Sequence, residues 1–334
     1  MSDFPAQMAK VAKQFTRDAS DVDRADAIPR EHFDRLAAMG LFGAFAPVDM
    51  GGLEFSLAEL CDSVEFLASA CLASTFVWIQ HFRLLAAALD PSAPAIVADI
   101  RQDIVRGQVR GGVALTGLQP GLARLKASPT REGWSLDGEA PWVSGWGVVD
   151  YLVVAARGPD DTVVTFLLDA QVQPGLVVTR RHLAALNASA TVKLTFAAFR
   201  VQPTRMLGRA PYDPTRELPE ALRVNGSLAL GVVRRCCGII GPSALDDELL
   251  DARAALDGAN AETMALARAG ACELAVRASS ALAVHLGSSS VLTASIAERT
   301  GREAQVLLTF GSRPAIRQSL LERLGARSTS SSGK

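Results

Sequence analysis

The stretch VRGGVALTG, residues 109–117, is where the chain changes texture. Upstream, apolar residues recur at helical spacing. Downstream they come in short β-branched or alternating runs broken by Gly, Pro and Asp. The runs WSLDGEAPWVSG (134–145), DYLVVAAR (150–157), TVVTFLLDA (162–170), GLVVTRR (175–181) and ATVKLTFAAFRV (190–201) read as strands. Several strands at such spacing predict a small barrel or sandwich between about 111 and 205.

Working outward, REHFDRLAAMGLFGAF (30–45) places Phe33, Leu36 and Leu41 on one helical face, and Gly40 suits the helix end. Ser56 with Glu59 three residues on is a capping-box signature, and the run behind it, 57–89, is apolar almost all round, so it should be buried. Beyond the β block, helical spacing returns in 218–241, 244–256, 261–287 and 302–311. Pro242 should end the first of these helices, because proline has no N–H to continue it. The expected fold class is α+β, mostly α. It has an N-terminal helical domain (1–110), a middle β-barrel or sandwich domain (111–210), a C-terminal helical bundle (211–326) and a disordered tail (327–334).

The 334 residues are 49% hydrophobic with a net charge of −1, and opposite charges are interspersed. That balance offers no footprint for nucleic acid and no basic face for a membrane surface. Cys61, Cys71, Cys236, Cys237 and Cys272 show no CxxC spacing and read as reduced core residues. The N-terminus has no apolar signal region, and no run of about 18 apolar residues suggests a spanning helix, so a cytoplasmic location is expected. His32, His81, His182 and His285 are scattered without metal-ligand spacing.

Four stretches in this order resemble the acyl-CoA dehydrogenase family: LAAMGLFGAFAPVDMGGLEFSLAELCDSVEFLA, ALTG followed by GEAPWVSGWGVVDYLVVAAR, TVKLTFAAFRVQPTRMLG, and HLGSSS through FGSRPAIR. The resemblance covers most of the chain and is weakest over 240–285. It implies FAD as cofactor, an acyl-CoA thioester as substrate, electron-transfer flavoprotein as electron acceptor, and assembly as a homo-oligomer or with a complementary homologous subunit. It also implies cofactor contacts at Leu115, Thr116, Gly117, Trp142, Val143, Ser144, His285 and Gly287. The residues agree in part: an isoalloxazine needs a flat apolar wall and hydrogen-bond donors, and Trp142 and Ser144, two apart on a strand, should face one side. A core aromatic and an ordinary strand hydroxyl are the plainer readings of those two. His285 at a helix end is more often a cap or core residue than a ligand.

The departures from the family pattern concern its polar groups. An acidic residue of the loop after ALT becomes Gly117, and a Ser-Asp pair becomes Leu122-Ala123. The first two helices of the C-terminal domain are short, and no Arg-x-x-Phe-Gly loop follows them. The family's catalytic carboxylate, which takes the α-proton while hydride leaves the β-carbon, aligns with Gly311. Some members carry the base on the first C-terminal helix instead. Counting back from Gly231 puts that position near Ala221, with Glu220 one residue away and Glu217 a turn further back. Glu220 is thus the candidate base, against the plainer reading of a solvated glutamate at a helix N-terminus. The implied activity is α,β-dehydrogenation of an acyl-CoA with hydride passing to flavin N5. The alternatives are a catalytically incomplete subunit of a hetero-oligomeric dehydrogenase, or a flavin-dependent monooxygenase on the same fold, which needs no α-proton base.

Overall fold

The computed structural model describes residues 4–118, 124–213, 219–311 and 313–326. Leu122-Ala123, Glu217 and the tail 327–334 lie outside the described residues. The N-terminal part is helical: α1 (Phe4–Arg24), α2 (Arg30–Ala38), α3 (Leu57–Ala70), α4 (Leu72–Trp78), α5 (Phe82–Leu89), α6 (Ala95–Asp99) and α7 (Arg101–Val105). The capping box forms at α3: Glu59 N–H donates to the Ser56 hydroxyl, and the Glu59 carboxylate accepts from Ser56 N–H. The stretch Leu72–Leu89 is long and apolar enough to cross a membrane, contrary to the expectation that no such run exists. It is 67% buried, with Trp78, Leu84 and Leu85 in the protein core. Its apolarity is accounted for by packing within the protein.

The strands follow as β1 (Gly111–Ala114), β2 (Leu125–Thr130), β3 (Gly133–Val143), β4 (Tyr151–Gly158), β5 (Thr162–Asp169), β6 (Leu176–Arg180), β7 (Val192–Val201) and β8 (Met206–Pro211). They form one sheet in the order β6-β7-β3-β2-β4-β5-β8, and β1 pairs with β4 in parallel. The end strands β6 and β8 each pair with one neighbour, so a single sheet stands where the sequence left barrel and sandwich open.

The C-terminal part comprises α8 (Pro219–Ile240), α9 (Ala244–Asp257), α10 (Met264–Leu286), α11 (Ile296–Thr309) and α12 (Pro314–Arg323). Here α8 stops at Gly241-Pro242, as proline requires. Helices of both flanks share one apolar core, so α3 packs on α8, and the five cysteines lie buried in it as free thiols. Burial pushes the Cys236 thiol up to about 12 and the Cys237 thiol up to about 11, which keeps them protonated and unreactive.

Buried and part-buried ion pairs hold the three parts together. Arg302 of α11 reaches Asp23 of α1 at 2.6 Å and the Ala184 carbonyl of the middle domain at 2.6 Å. Arg235 of α8 donates to the Ser69 and Ala68 carbonyls at the end of α3, to Thr300 and to Glu303 of α11. Glu65 of α3 takes a two-pronged contact from Arg253 at 2.7 and 3.0 Å.

Candidate functional site

The candidate site starts at an irregularity in β3. Pairing with β7 shifts register between Ala140 and Val143, and Pro141 and Trp142 occupy the bulge. Proline cannot donate to a ladder, so it is tolerated there, and a bulge re-aims the side chain beside it. Trp142 consequently leaves its indole half-exposed, at 50%, while Val143 next to it is fully buried. The Trp142 N–H, freed from the ladder, donates to Thr116 Oγ1 at 3.3 Å. Thr116 opens the short turn Thr116–Leu118 after β1, so the two residues are joined across 26 positions of sequence.

Gly117 sits in the middle of this turn. A Cβ there would come within 2.7 Å of Leu125 Cβ and 3.1 Å of the Glu139 carbonyl. No acidic side chain fits at 117 while the turn lies this close to β2 and β3. Leu115, just ahead, is 37% exposed.

The expectation that Trp142 and Ser144 share one face needs correction. β3 ends at Val143, and the strict alternation of a strand does not pass through the bulge. Ser144 is buried and its hydroxyl hydrogen-bonds Thr191 at 2.7 Å, which in turn bonds Ser189 at 2.8 Å. That hydroxyl network braces the loop behind the tryptophan.

Beside Trp142 lies Arg181, in the loop after β6. Its guanidinium stands over the indole with Cζ 5.5 Å from the ring centroid. Its backbone N–H is used by the Thr191 carbonyl, but its buried Nε has no partner, and its side chain forms no hydrogen bond or ion pair with a described residue. A buried donor left unmade costs about 1–3 kcal/mol. Glu139, three residues before Trp142, pairs with Lys193 at 2.8 Å. That hydrogen bond, with the charges of Lys193, Arg124 and Arg181, holds the Glu139 carboxyl below the usual carboxylate range. Three cations therefore surround one carboxylate at this edge of the sheet. Nothing in the spacing of Arg124, Arg181 and Lys193 announces them, because they meet only through the pairing of β3 with β2 and β7.

A second group surrounds Phe310-Gly311, at the end of α11. Phe310 meets Phe76 of α4 edge-to-face with centroids 4.7 Å apart. Gly311 has φ +61°, in the left-handed region where glycine carries no Cβ penalty. The nearest group to a Cβ placed there is the Asn225 side-chain amide of α8, at 3.7 Å. Asn225 thus faces the position where the family resemblance places a carboxylate. It lies four residues after Ala221, about 40° around the helix, whereas Glu220 lies about 140° away from it. Glu220 is exposed in the first turn of α8. Helical spacing could have found Asn225, a polar side chain one turn on from Ala221.

His285 and Gly287 belong to neither group. They are exposed at the C-terminal end of α10, next to Val284 at 82% exposure, with Gly287 at φ +68° ending the helix. Among the described residues no cluster of His, Cys, Asp and Glu could hold a metal ion.

Comparison with known proteins bears on the fold and on the N-terminal domain. Residues 4–91 match the family model for the acyl-CoA dehydrogenase N-terminal domain. Benzylmalonyl-CoA dehydrogenase of Aromatoleum aromaticum is 28% identical over 232 residues, covering 65% of this chain and 60% of that protein. The match therefore spans about three-fifths of the relative's length. Among solved structures, butyryl-CoA dehydrogenase from Megasphaera elsdenii superposes with a TM-score of 0.81 at 18% identity, over 97% of each chain. The FMN-bound dibenzothiophene monooxygenase TdsC from Paenibacillus sp. A11-2 superposes with a TM-score of 0.77 at 19% identity, over 98% of each chain. In its N-terminal domain the chain is similar in sequence to the acyl-CoA dehydrogenase family, and throughout it has the fold of these solved structures.

Proposed function

We propose that this protein is a flavin-dependent oxidoreductase acting on an acyl-CoA thioester, with FAD as cofactor. The observation that carries this reading is the half-exposed Trp142 indole, aimed outward by a β-bulge and tied to Thr116. An apolar ring held this rigidly is a stacking wall for a planar heterocycle. The Thr116 hydroxyl accepts from Trp142 N–H and keeps its own hydrogen to donate to a ring carbonyl or nitrogen. The unpartnered Arg181 donors beside the wall also fit a cofactor that carries phosphate. When bound, flavin supplies a two-electron acceptor, and this chain's residues bind and orient it.

The proton step is less conventional. Neither Gly311 nor Asn225 accepts a proton, and Glu220 is exposed on another side of α8. The amide of Asn225 can donate a hydrogen bond to a substrate oxygen and orient it. This favours a second reading: a flavin-dependent oxygenation that starts without α-proton abstraction. Electron-transfer flavoprotein as acceptor, a homo-oligomer or complementary subunit, and a cytoplasmic location complete the proposal.

The test is anaerobic titration of the FAD-reconstituted protein with a panel of acyl-CoAs, followed by the visible absorption of flavin. Bleaching that persists in Glu220→Gln supports dehydrogenation with a proton acceptor other than Glu220, and loss in that variant assigns the base to it. No bleaching, but oxygen consumption when reduced flavin is supplied, favours the oxygenase reading. A protein that takes up no flavin refutes both.

A further inference from the structure

We propose that Arg181, with Lys193 and Arg124 beside it, forms an anion subsite for a phosphate group of the ligand seated on Trp142. This deepens the flavin reading and rests on it for the identity of the ligand. Three observations meet at this edge of the sheet. The Arg181 guanidinium is held against the indole, its buried Nε has no partner, and its side chain forms no hydrogen bond or ion pair with a described residue. Other arginines are held by the fold: Arg235 makes four hydrogen-bonding contacts, Arg205 grips Asp169 with two, and Arg110, Arg268 and Arg299, each with one buried nitrogen left without a partner, still engage Asp34, Cys272 and Glu303 through the side chain. Arg124 is exposed at the start of β2, and its carbonyl and N–H fasten it to Glu139 and Gly117. Lys193 on β7 is drawn toward the same place by Glu139.

A planar fork with free donors, backed by a second and third cation, suits phosphate oxygens. Glu139 is the single carboxylate among these cations, and it occupies Lys193 in the absence of ligand. The arrangement gives Arg181 and Glu139 opposite effects. Removing Arg181 weakens anion binding, whereas neutralising Glu139 frees Lys193 and strengthens it. The phosphate could belong to the flavin side chain or to CoA, and both are bound through the same chemistry.

The experiment is calorimetric titration of the full chain with inorganic pyrophosphate, then with riboflavin against FMN and FAD, and pantetheine against CoA. Wild type, Arg181→Gln and Glu139→Gln are compared. Pyrophosphate should bind the wild type, about tenfold more weakly to Arg181→Gln and several-fold more tightly to Glu139→Gln. If the phosphate is the flavin's, FMN binds better than riboflavin and Arg181→Gln abolishes that advantage. If it is the cosubstrate's, the same pattern appears between CoA and pantetheine. Pyrophosphate and phosphorylated ligands that bind all three proteins alike, or not at all, overturn the proposal. Flavins that fail to bind while pyrophosphate follows the opposite-sign pattern leave the anion subsite standing and refute the flavin reading. Glu139→Gln keeps the Arg181 guanidinium over the Trp142 ring, so tighter binding in that variant cannot come from a folding defect.

Discussion

Arg235 and Arg181 are both partly or wholly buried cations, and the molecule treats them in opposite ways. Arg235 lies between α3, α8 and α11, with two carbonyls, a hydroxyl and a carboxylate around it. Arg181 lies at the sheet edge, against an exposed tryptophan, with a buried Nε that bonds to nothing. The difference separates a cation that fastens the fold from one held ready for something outside it. A structural charge needs all its desolvation offset within the protein. A binding charge keeps its donors open and is stabilised when the ligand arrives. His81 shows a third treatment. It is wholly buried, accepts from Gly111 N–H at Nδ1, and burial holds its pKa down at about 3, so it stays neutral.

The largest expected effect is at Arg235. Arg235→Ala strips the hydrogen-bonded partner from the buried Glu303, which keeps only the more distant Arg299 at 3.8 Å, and leaves two carbonyls of α3 without donors, so stability should fall by about 3–5 kcal/mol. Urea denaturation measures it, and a loss below about 1 kcal/mol would erase the contrast drawn between the two arginines.

The next concerns pH. His81 has a folded pKa of about 3 against an ordinary value of 6.5, so between these values the unfolded chain binds a proton that the folded chain does not. Stability is full above about pH 6.5 and falls as the pH drops toward 3, by up to about 1.4 kcal/mol per pH unit from this residue. His81→Asn should lose that part of the slope, and equal slopes in the two proteins would show that His81 is not responsible.

The smallest effect sharpens the comparison most. Arg181→Gln should change folding stability by no more than about 1 kcal/mol, because only the contact with the Trp142 ring is lost and no intramolecular ion pair or side-chain hydrogen bond. A large destabilisation in thermal melts would recast Arg181 as a second Arg235.

Some of this was legible in the chain itself. The change of periodicity at 109–117, the capping box at Ser56 and Glu59, and Pro242 after α8 are local signals, since each depends on residues within a few positions of one another. The order of helical, β and helical blocks follows from them, and with it the family resemblance. The cysteines are equally local: apolar surroundings at helical spacing marked them as core, and all five are buried.

Other features depend on elements distant in sequence. The bulge that turns Trp142 outward and separates it from Ser144 arises from register with β7, some fifty residues away. Gly117 excludes any side chain only because Leu125 and Glu139 close in on it. Asn225 faces Gly311 across two helices, and Arg181 meets Trp142 only when β6 and β3 are brought together on either side of β7. The sequence alone determined which segments are helix or strand and in what order, because hydrophobic period and capping act over one or two turns. The tertiary structure decided which polar groups are saturated and which remain open, because hydrogen-bond satisfaction is settled by neighbours that arrive from elsewhere in the chain.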